Sequence, residues 1–282
     1  MMSRDGFPFR EITVLGLGVM GGSFVRAVRQ HSPGTTLVGW SPDEDELAFA
    51  ASQGWITPAA DPVKAVSHAE CVVIATPLGA VVRAMADLAR ALRADALVTD
   101  VASLKGPVAD AATRAGLQAR WVGAHPMAGS EGSGISASRA DLYQGTRVWL
   151  VSHEEGKGSL PLMVRLWSEL GGRPEITSVM EHDRSMAWVS HLPQLTANAL
   201  AVVLDTAGVA RDTLGPGGRD MTRLAASSPT MWRDIIAHAP PAVPEALRAV
   251  SREMAAFADR LEAGDSEVFE EVFRRGREWV ES

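Results

Sequence analysis

His125 opens the segment His125-Pro126-Met127-Ala128-Gly129-Ser130-Glu131, directly after the apolar run Trp121 to Ala124. An imidazole accepts a proton near neutral pH, so a histidine just past a strand end is a candidate general base. A second constellation lies near the N-terminus: Gly16-Leu17-Gly18-Val19-Met20-Gly21 follows the run Ile12 to Leu15 and precedes a helical pattern. This glycine spacing, between strand and helix, is the signature of a dinucleotide site. The first glycine permits the tight turn, the second admits a pyrophosphate to the backbone, and the third lets helix and strand pack closely. The helix N-terminus then presents partial positive charge to the phosphates.

Which dinucleotide binds is read at the end of the second strand, where an acid favours NAD and an arginine accommodates the 2′-phosphate of NADP. Here the strand closes on Gly39-Trp40-Ser41-Pro42, so Ser41 occupies the usual acidic place. Asp43, Glu44, Asp45 and Glu46 follow with no neighbouring cation. NAD is the expected cofactor, with NADP left open. Thr76 and Pro77, just past the run Cys71 to Ala75, fall at the carboxyl edge where dinucleotides lie in such sheets.

These groups need a scaffold. Ile12 to Leu15, Thr36 to Trp40, Cys71 to Ala75, Ala96 to Thr99, Trp121 to Ala124 and Val148 to Val151 are nearly continuous apolar runs. They suit strands of a sheet covered on both faces. Helical patterns at Gly22 to Gln30, Asp43 to Gln53 and Leu78 to Leu92 alternate with them, which predicts a doubly wound α/β sheet. One more helix (Leu160 to Leu170) and a short strand (Glu175 to Thr177) complete it. From Val179 onward long helical patterns take over: Ser185 to Thr206, Ala242 to Ala263 and Ser266 to Val280. The expected architecture is a Rossmann-like α/β domain over residues 1–178 followed by an all-α domain over 179–282. The first long helix is apolar around most of its circumference, which marks it for burial, and two copies packing such helices would form a homodimer.

Ser190-His191-Leu192-Pro193-Gln194, Arg219-Asp220-Met221-Thr222-Arg223 and Met231-Trp232-Arg233-Asp234 follow the His125 segment in that order. With the glycine-rich turn they resemble the prephenate/arogenate dehydrogenase family over about four-fifths of the chain. The resemblance implies transfer of hydride from the ring carbon bearing the 4-hydroxyl to nicotinamide, with loss of the ring carboxylate as CO₂. It implies that His125 takes the hydroxyl proton and that Ser103, in Asp100-Val101-Ala102-Ser103-Leu104-Lys105, orients that histidine. Arg223 matches the arginine that grips a substrate carboxylate, a task suited to a planar guanidinium fork. His191 matches a pocket histidine, and Glu131, Asp220 and Trp232 match further pocket residues. His182-Asp183 also fits the family pattern, and Asp183 is expected to serve a helix N-terminus.

The net charge of −7 argues against a nucleic-acid or anionic-membrane partner, since either would reward a basic face, while local basic groups can still bind a small anion. Cys71, the single cysteine, lies in an apolar run and is expected to be buried; no metal-ligand spacing is present. No apolar stretch is long enough for a signal peptide or a span, so a cytoplasmic protein is expected. Two relatives in chemistry remain. A β-hydroxyacid dehydrogenase shares the turn but uses a helix lysine, and Ser185 to Thr206 has none. Dehydrogenases of amino-substituted prephenates share the core motifs. A nucleotide-sensing protein without catalysis is the reading from a different class, and turnover separates it.

Overall fold

The computed structural model describes residues 6–129, 132–265 and 267–282. Five strands form a parallel sheet in the order β3-β2-β1-β4-β5: β1 (Glu11–Leu15), β2 (Thr36–Trp40), β3 (Thr57–Pro58), β4 (Cys71–Ile74) and β5 (Leu97–Asp100). A second sheet runs β6 (Val122–Pro126), β7 (Arg147–Ser152), β8 (Arg173–Ile176), with β6 antiparallel to β7 and β7 parallel to β8. A parallel bridge between Val98 and Trp121 joins the edges of the two sheets. Helices α1 (Val19–His31), α2 (Glu44–Ser52), α3 (Pro62–Ala65), α4 (Leu78–Ala91), α5 (Gly106–Arg114) and α6 (Leu160–Glu169) connect the strands.

Residues of β4 sort alternately: Cys71 and Val73 join one buried cluster, Val72 and Ile74 the other. Side chains of a strand point to opposite faces in turn, so the two clusters lie on opposite faces of the sheet. The first includes Phe24 of α1 and Trp167 of α6; the second includes Val81, Met85 and Leu88 of α4 and Val108 of α5. This double cover explains why the strands read as unbroken apolar runs. Cys71 is fully buried, and burial pushes its thiol far above the usual range, leaving it inert.

The chain divides into two compact units. The first comprises residues 1–183 and 228–238, the second 184–227 and 239–282. The returning segment carries α10 (Pro229–Ala237). The Asp234 carboxylate accepts the Gly79 N–H in the first turn of α4 at 3.2 Å, and Ile235 joins the second cluster. An acid at an exposed helix N-terminus is a favourable anchor, and this contact is not visible in local periodicity.

The helix expected over Ser185 to Thr206 is three pieces: α7 (Val179–Met186), a π-helical turn (Ala187–His191) and α8 (Leu192–Thr206). Pro193 supplies the reason for the break. It has no N–H to donate to residue 189, and its ring crowds that carbonyl. The expected burial of this helix is only partial within one chain. Met186, Ala187 and His191 are buried, whereas Val189, Val202 and Val203 are each more than 60% exposed. The second unit also contains α9 (Pro216–Thr222), α11 (Ala242–Glu262) and α12 (Glu267–Glu281). Within it, the Gln194 amide donates to the Leu224 carbonyl (2.6 Å) and to Asn198 Oδ1 (2.7 Å), and accepts from Ser227 Oγ (3.1 Å). Among the described residues no helix is long and apolar enough to cross a membrane.

Candidate active site

The glycine-rich turn has three glycines for three reasons. Gly16 has φ +93°, and a Cβ there would stand 2.7 Å from the Ala75 carbonyl oxygen. A Cβ on Gly21 would overlap the Gly16 oxygen at 1.8 Å, so strand and helix could not approach as they do. Gly18 differs. Its side-chain direction meets only Glu46 Oε1, at 3.8 Å, so the backbone there is open. Gly18 is also the N-cap of α1, whose first turn carries no acid and has no side-chain cap. Orphan N–H groups beside open backbone form a cradle suited to a pyrophosphate. Leu17 is fully buried, whereas Val19 and Met20 are half-buried. At the neighbouring strand end Thr76 is half-buried and Pro77 is the exposed N-cap of α4.

Ser41 is not an open contact. It is buried; its hydroxyl donates to Glu46 Oε2 at 3.0 Å and accepts the Asp43 N–H at 3.2 Å. Asp43 in turn caps α2 by accepting the N–H groups of Asp45 and Glu46. The carboxylate beside the turn is therefore that of Glu46.

His125 sits near the end of β6, opposite Trp149 in the register with β7. Its Nδ1 lies 2.9 Å from Nε2 of His182, and Nδ1 of His182 lies 2.7 Å from Oδ1 of Asp183. Asp183 also accepts the backbone N–H of Lys105 (2.9 Å, on Oδ1) and of Gly106 (2.8 Å, on Oδ2). Burial alone would raise the Asp183 carboxyl, but the bonds from His182, Lys105 and Gly106 outweigh it and hold it below the ordinary value. An ionised carboxylate only accepts, so it fixes the His182 proton on Nδ1. Nε2 of His182 then accepts from Nδ1–H of His125, and Nε2 of His125 becomes the basic nitrogen. Burial lowers the His182 pKa below its ordinary value, despite the opposing bond from Asp183. The chain Asp183–His182–His125 thus selects one tautomer of the candidate base.

Asp183 serves a helix N-terminus, but that of α5 (Gly106–Arg114), far away in sequence, rather than that of its own helix. Beneath this contact Lys105 is fully buried, with Nζ donating to Asp100 Oδ1 and to the Ala124 carbonyl (2.6 Å). Asp100 also accepts the Trp121 indole N–H (3.0 Å) and the Ala102 N–H (3.0 Å). Burial lowers the Lys105 amine below its ordinary value, with Asp100 pulling it back up. This buried pair ties the ends of β5 and β6 together one residue before His125.

Ser103 is half-buried, and its side chain makes no hydrogen bond among the described residues; the partner on Nδ1 of His125 is His182. Glu131 lies outside the described residues. Trp232, on α10, packs against the second core cluster. In the helical unit His191 is buried at the end of the π-helical turn, while Asp220 on α9 and Arg223 just after it are exposed. Neither Asp220 nor Arg223 has an ion-pair partner among the described residues, so Arg223 is not spent on a surface pair. His182, Lys105, Asp100 and Glu46 escaped the sequence reading as site residues. The local hints were a histidine adjacent to an acid at positions 182–183, the acidic run from Asp43 to Glu46, and the segment from Asp100 to Lys105 quoted for Ser103.

Residues 24–176 match the family model described as prephenate dehydrogenase, nucleotide-binding domain, and residues 178–275 match that described as prephenate dehydrogenase, dimerization domain. The chain belongs to this family. It is 30% identical over 278 residues to the prephenate dehydrogenase of Bacillus subtilis, covering 95% of this chain and 74% of that one. Over 245 residues it is 30% identical to the cyclohexadienyl dehydrogenase of Zymomonas mobilis, with 83% of each covered. A solved structure of prephenate dehydrogenase from Aquifex aeolicus, in complex with hydroxyphenyl propionate and NAD⁺, superposes with a TM-score of 0.88 at 29% identity. That match covers 96% of this chain and 98% of the other. Family membership makes the protein a dehydrogenase and accounts for both the Rossmann-like and the helical parts.

Proposed function

We propose that the protein oxidatively decarboxylates prephenate or arogenate with NAD as hydride acceptor, working as a homodimer. The observation that supports this most directly is the Asp183–His182–His125 chain, which presents a base with a fixed tautomer at the end of β6. The open backbone at Gly18 and the uncapped start of α1 suit a pyrophosphate. NAD, when bound, supplies the nicotinamide carbon that takes the hydride from the ring carbon bearing the hydroxyl.

Nε2 of His125 removes the hydroxyl proton as that ring carbon becomes a carbonyl, and the resulting imidazolium shares its Nδ1 proton with His182. Asp183, kept ionised, balances the charge that arrives on the two rings. Departure of the ring carboxylate as CO₂ sends its electron pair through the ring to the new carbonyl oxygen, and the phenolate so formed takes up a proton, from the His125 imidazolium or from water, to give the phenol. Arg223, by family resemblance, binds a substrate carboxylate; His191, Asp220, Trp232 and Glu131 are assigned to the substrate pocket on the same ground, and Ser103 to orienting His125.

Initial rates with prephenate and arogenate, each paired with NAD and NADP, test this reading. Turnover of at least one substrate with NAD, releasing CO₂ and a phenol in equal amounts, is expected. No turnover in any of the four combinations would overturn it.

A further inference from the structure

The usual acidic position at the end of β2 is filled by a serine, yet the structure supplies a carboxylate to the same place from the next helix. Glu46 is the third residue of α2, a position fixed by the Asp43 cap, which accepts the Glu46 N–H at 3.1 Å. A glutamate at this point commonly folds back on its own N-cap. This one instead reaches the strand end, where Ser41 donates to its Oε2 at 3.0 Å. With Oε2 held by a buried hydroxyl, Oε1 is directed at the turn: a Cβ on Gly18 would stand 3.8 Å from it, and one on Gly134 3.4 Å.

We infer that Glu46, anchored by Ser41, is the carboxylate that receives the adenosine ribose hydroxyls and sets the preference for NAD over NADP. The inference rests on the dinucleotide reading of the turn given above. Two features carry it. Ser41 is neutral and buried, its hydroxyl proton is committed to Glu46 and it already accepts the Asp43 N–H, so the charged acceptor at this place is Glu46. A 2′-phosphate would meet Glu46 at close range, with Asp43, Glu44 and Asp45 beside it and no lysine or arginine between residues 41 and 53. Like charges so close exclude the phosphate, while a diol can donate to Oε1. Ser41 is then a positioning residue, holding the carboxylate in one orientation.

The test measures dissociation constants of NADH, NADPH and 2′-deoxy-NADH by fluorescence titration of the full chain, without turnover. The wild type is expected to bind NADH about ten- to a hundredfold more tightly than the 2′-deoxy analogue, the scale of a hydrogen bond to a charged group. It should bind NADPH more weakly still. In Glu46→Ala the two NADH forms should bind alike. In Glu46→Gln, which can keep the Ser41 bond, the NADH-to-NADPH ratio should shrink at least about tenfold as the repulsion goes. Glu44→Ala, an exposed neighbour on the same helix, should change none of these by more than about twofold. Glu46 variants that keep wild-type discrimination would overturn the inference alone, as would a Glu44 variant that reproduces their effect. A wild type that binds none of the three would overturn the dinucleotide reading itself, and the inference with it.

Discussion

Histidine pairs with 2.9 Å between ring nitrogens act as a unit only if the protons are placed, and here a single carboxylate places both. Asp183 fixes His182, and His182 fixes His125. Replacing His125 by Asn removes the base and is expected to lower kcat by about two to four orders of magnitude with cofactor affinity retained. A variant with near wild-type kcat would take His125 out of the mechanism. His182→Asn leaves the base but frees its tautomer, so its loss in kcat should be smaller than that of His125→Asn, with KM little changed. Equal losses in the two variants would mean that His182 itself handles the proton. Arg223, exposed and with no ion-pair partner among the described residues, can act on substrate binding. Arg223→Ala should raise KM by about one to two orders of magnitude, the scale of a charged hydrogen bond, with kcat much less affected. A fall in kcat at constant KM would place it in the transition state instead.

Helix ends and strand ends, rather than helix faces, carry the functional contacts. The N-terminus of α1 faces open backbone at Gly18, that of α4 is anchored by Asp234, and that of α5 is capped by Asp183. The glycines of the first turn are consequently not equivalent. Gly21→Ala forces a carbon onto the Gly16 oxygen and should unfold the domain or lower its Tm sharply. Gly18→Ala meets no protein atom closer than 3.8 Å and should leave Tm nearly unchanged while NADH binding drops. Equal thermal effects would contradict this division. The α5 cap also links stability to pH. His182 has its pKa lowered by burial, so between its depressed folded value and the ordinary value of about 6.5 the unfolded chain binds the extra proton. Stability from this group is complete above that range and is lost as pH falls through it; the Asp183 contribution, also from a depressed pKa, goes at lower pH still. Tm should therefore fall between pH 7.5 and 5.5, and fall less in His182→Gln. A wild-type Tm that holds or rises over that interval would refute the linkage.

At the scale of the whole molecule, one chain leaves apolar surface on its helical unit. Val189, Val202 and Val203 on the π-turn and α8 are exposed, as are Phe273, Trp279 and Val280 on α12. Exposed apolar residues grouped in this way suit an interaction surface, and the proposed homodimer would use it. A two-fold dimer would cover such surface self-complementarily, and obligate interfaces often exceed about 2,000 Å². Light scattering at micromolar concentration is expected to give about twice the 30.0 kDa chain mass. A fully active monomer would exclude the dimer as a functional requirement.

The sequence by itself determined whatever is set by short-range pattern. The apolar runs of β1, β2, β4 and β5 announce a sheet covered on both faces, the spacing of Gly16, Gly18 and Gly21 announces a phosphate turn, and the run from Pro126 to Glu131 marks His125. Each is a local consequence of backbone sterics or of side-chain period, so a window of a dozen residues contains it. Tertiary structure decided the remainder. His125 and His182 are 57 residues apart, and Lys105 and Asp183 78, so no window joins them. The end of β2 looked like a lost acid because the carboxylate comes from α2 and reaches the site only when Ser41 turns it. The long apolar helix read as buried because apolarity says that a face will be covered, not whether the cover lies in the same chain. Burial and hydrogen-bond pairing depend on which distant elements meet, and that is settled by packing, not by spacing.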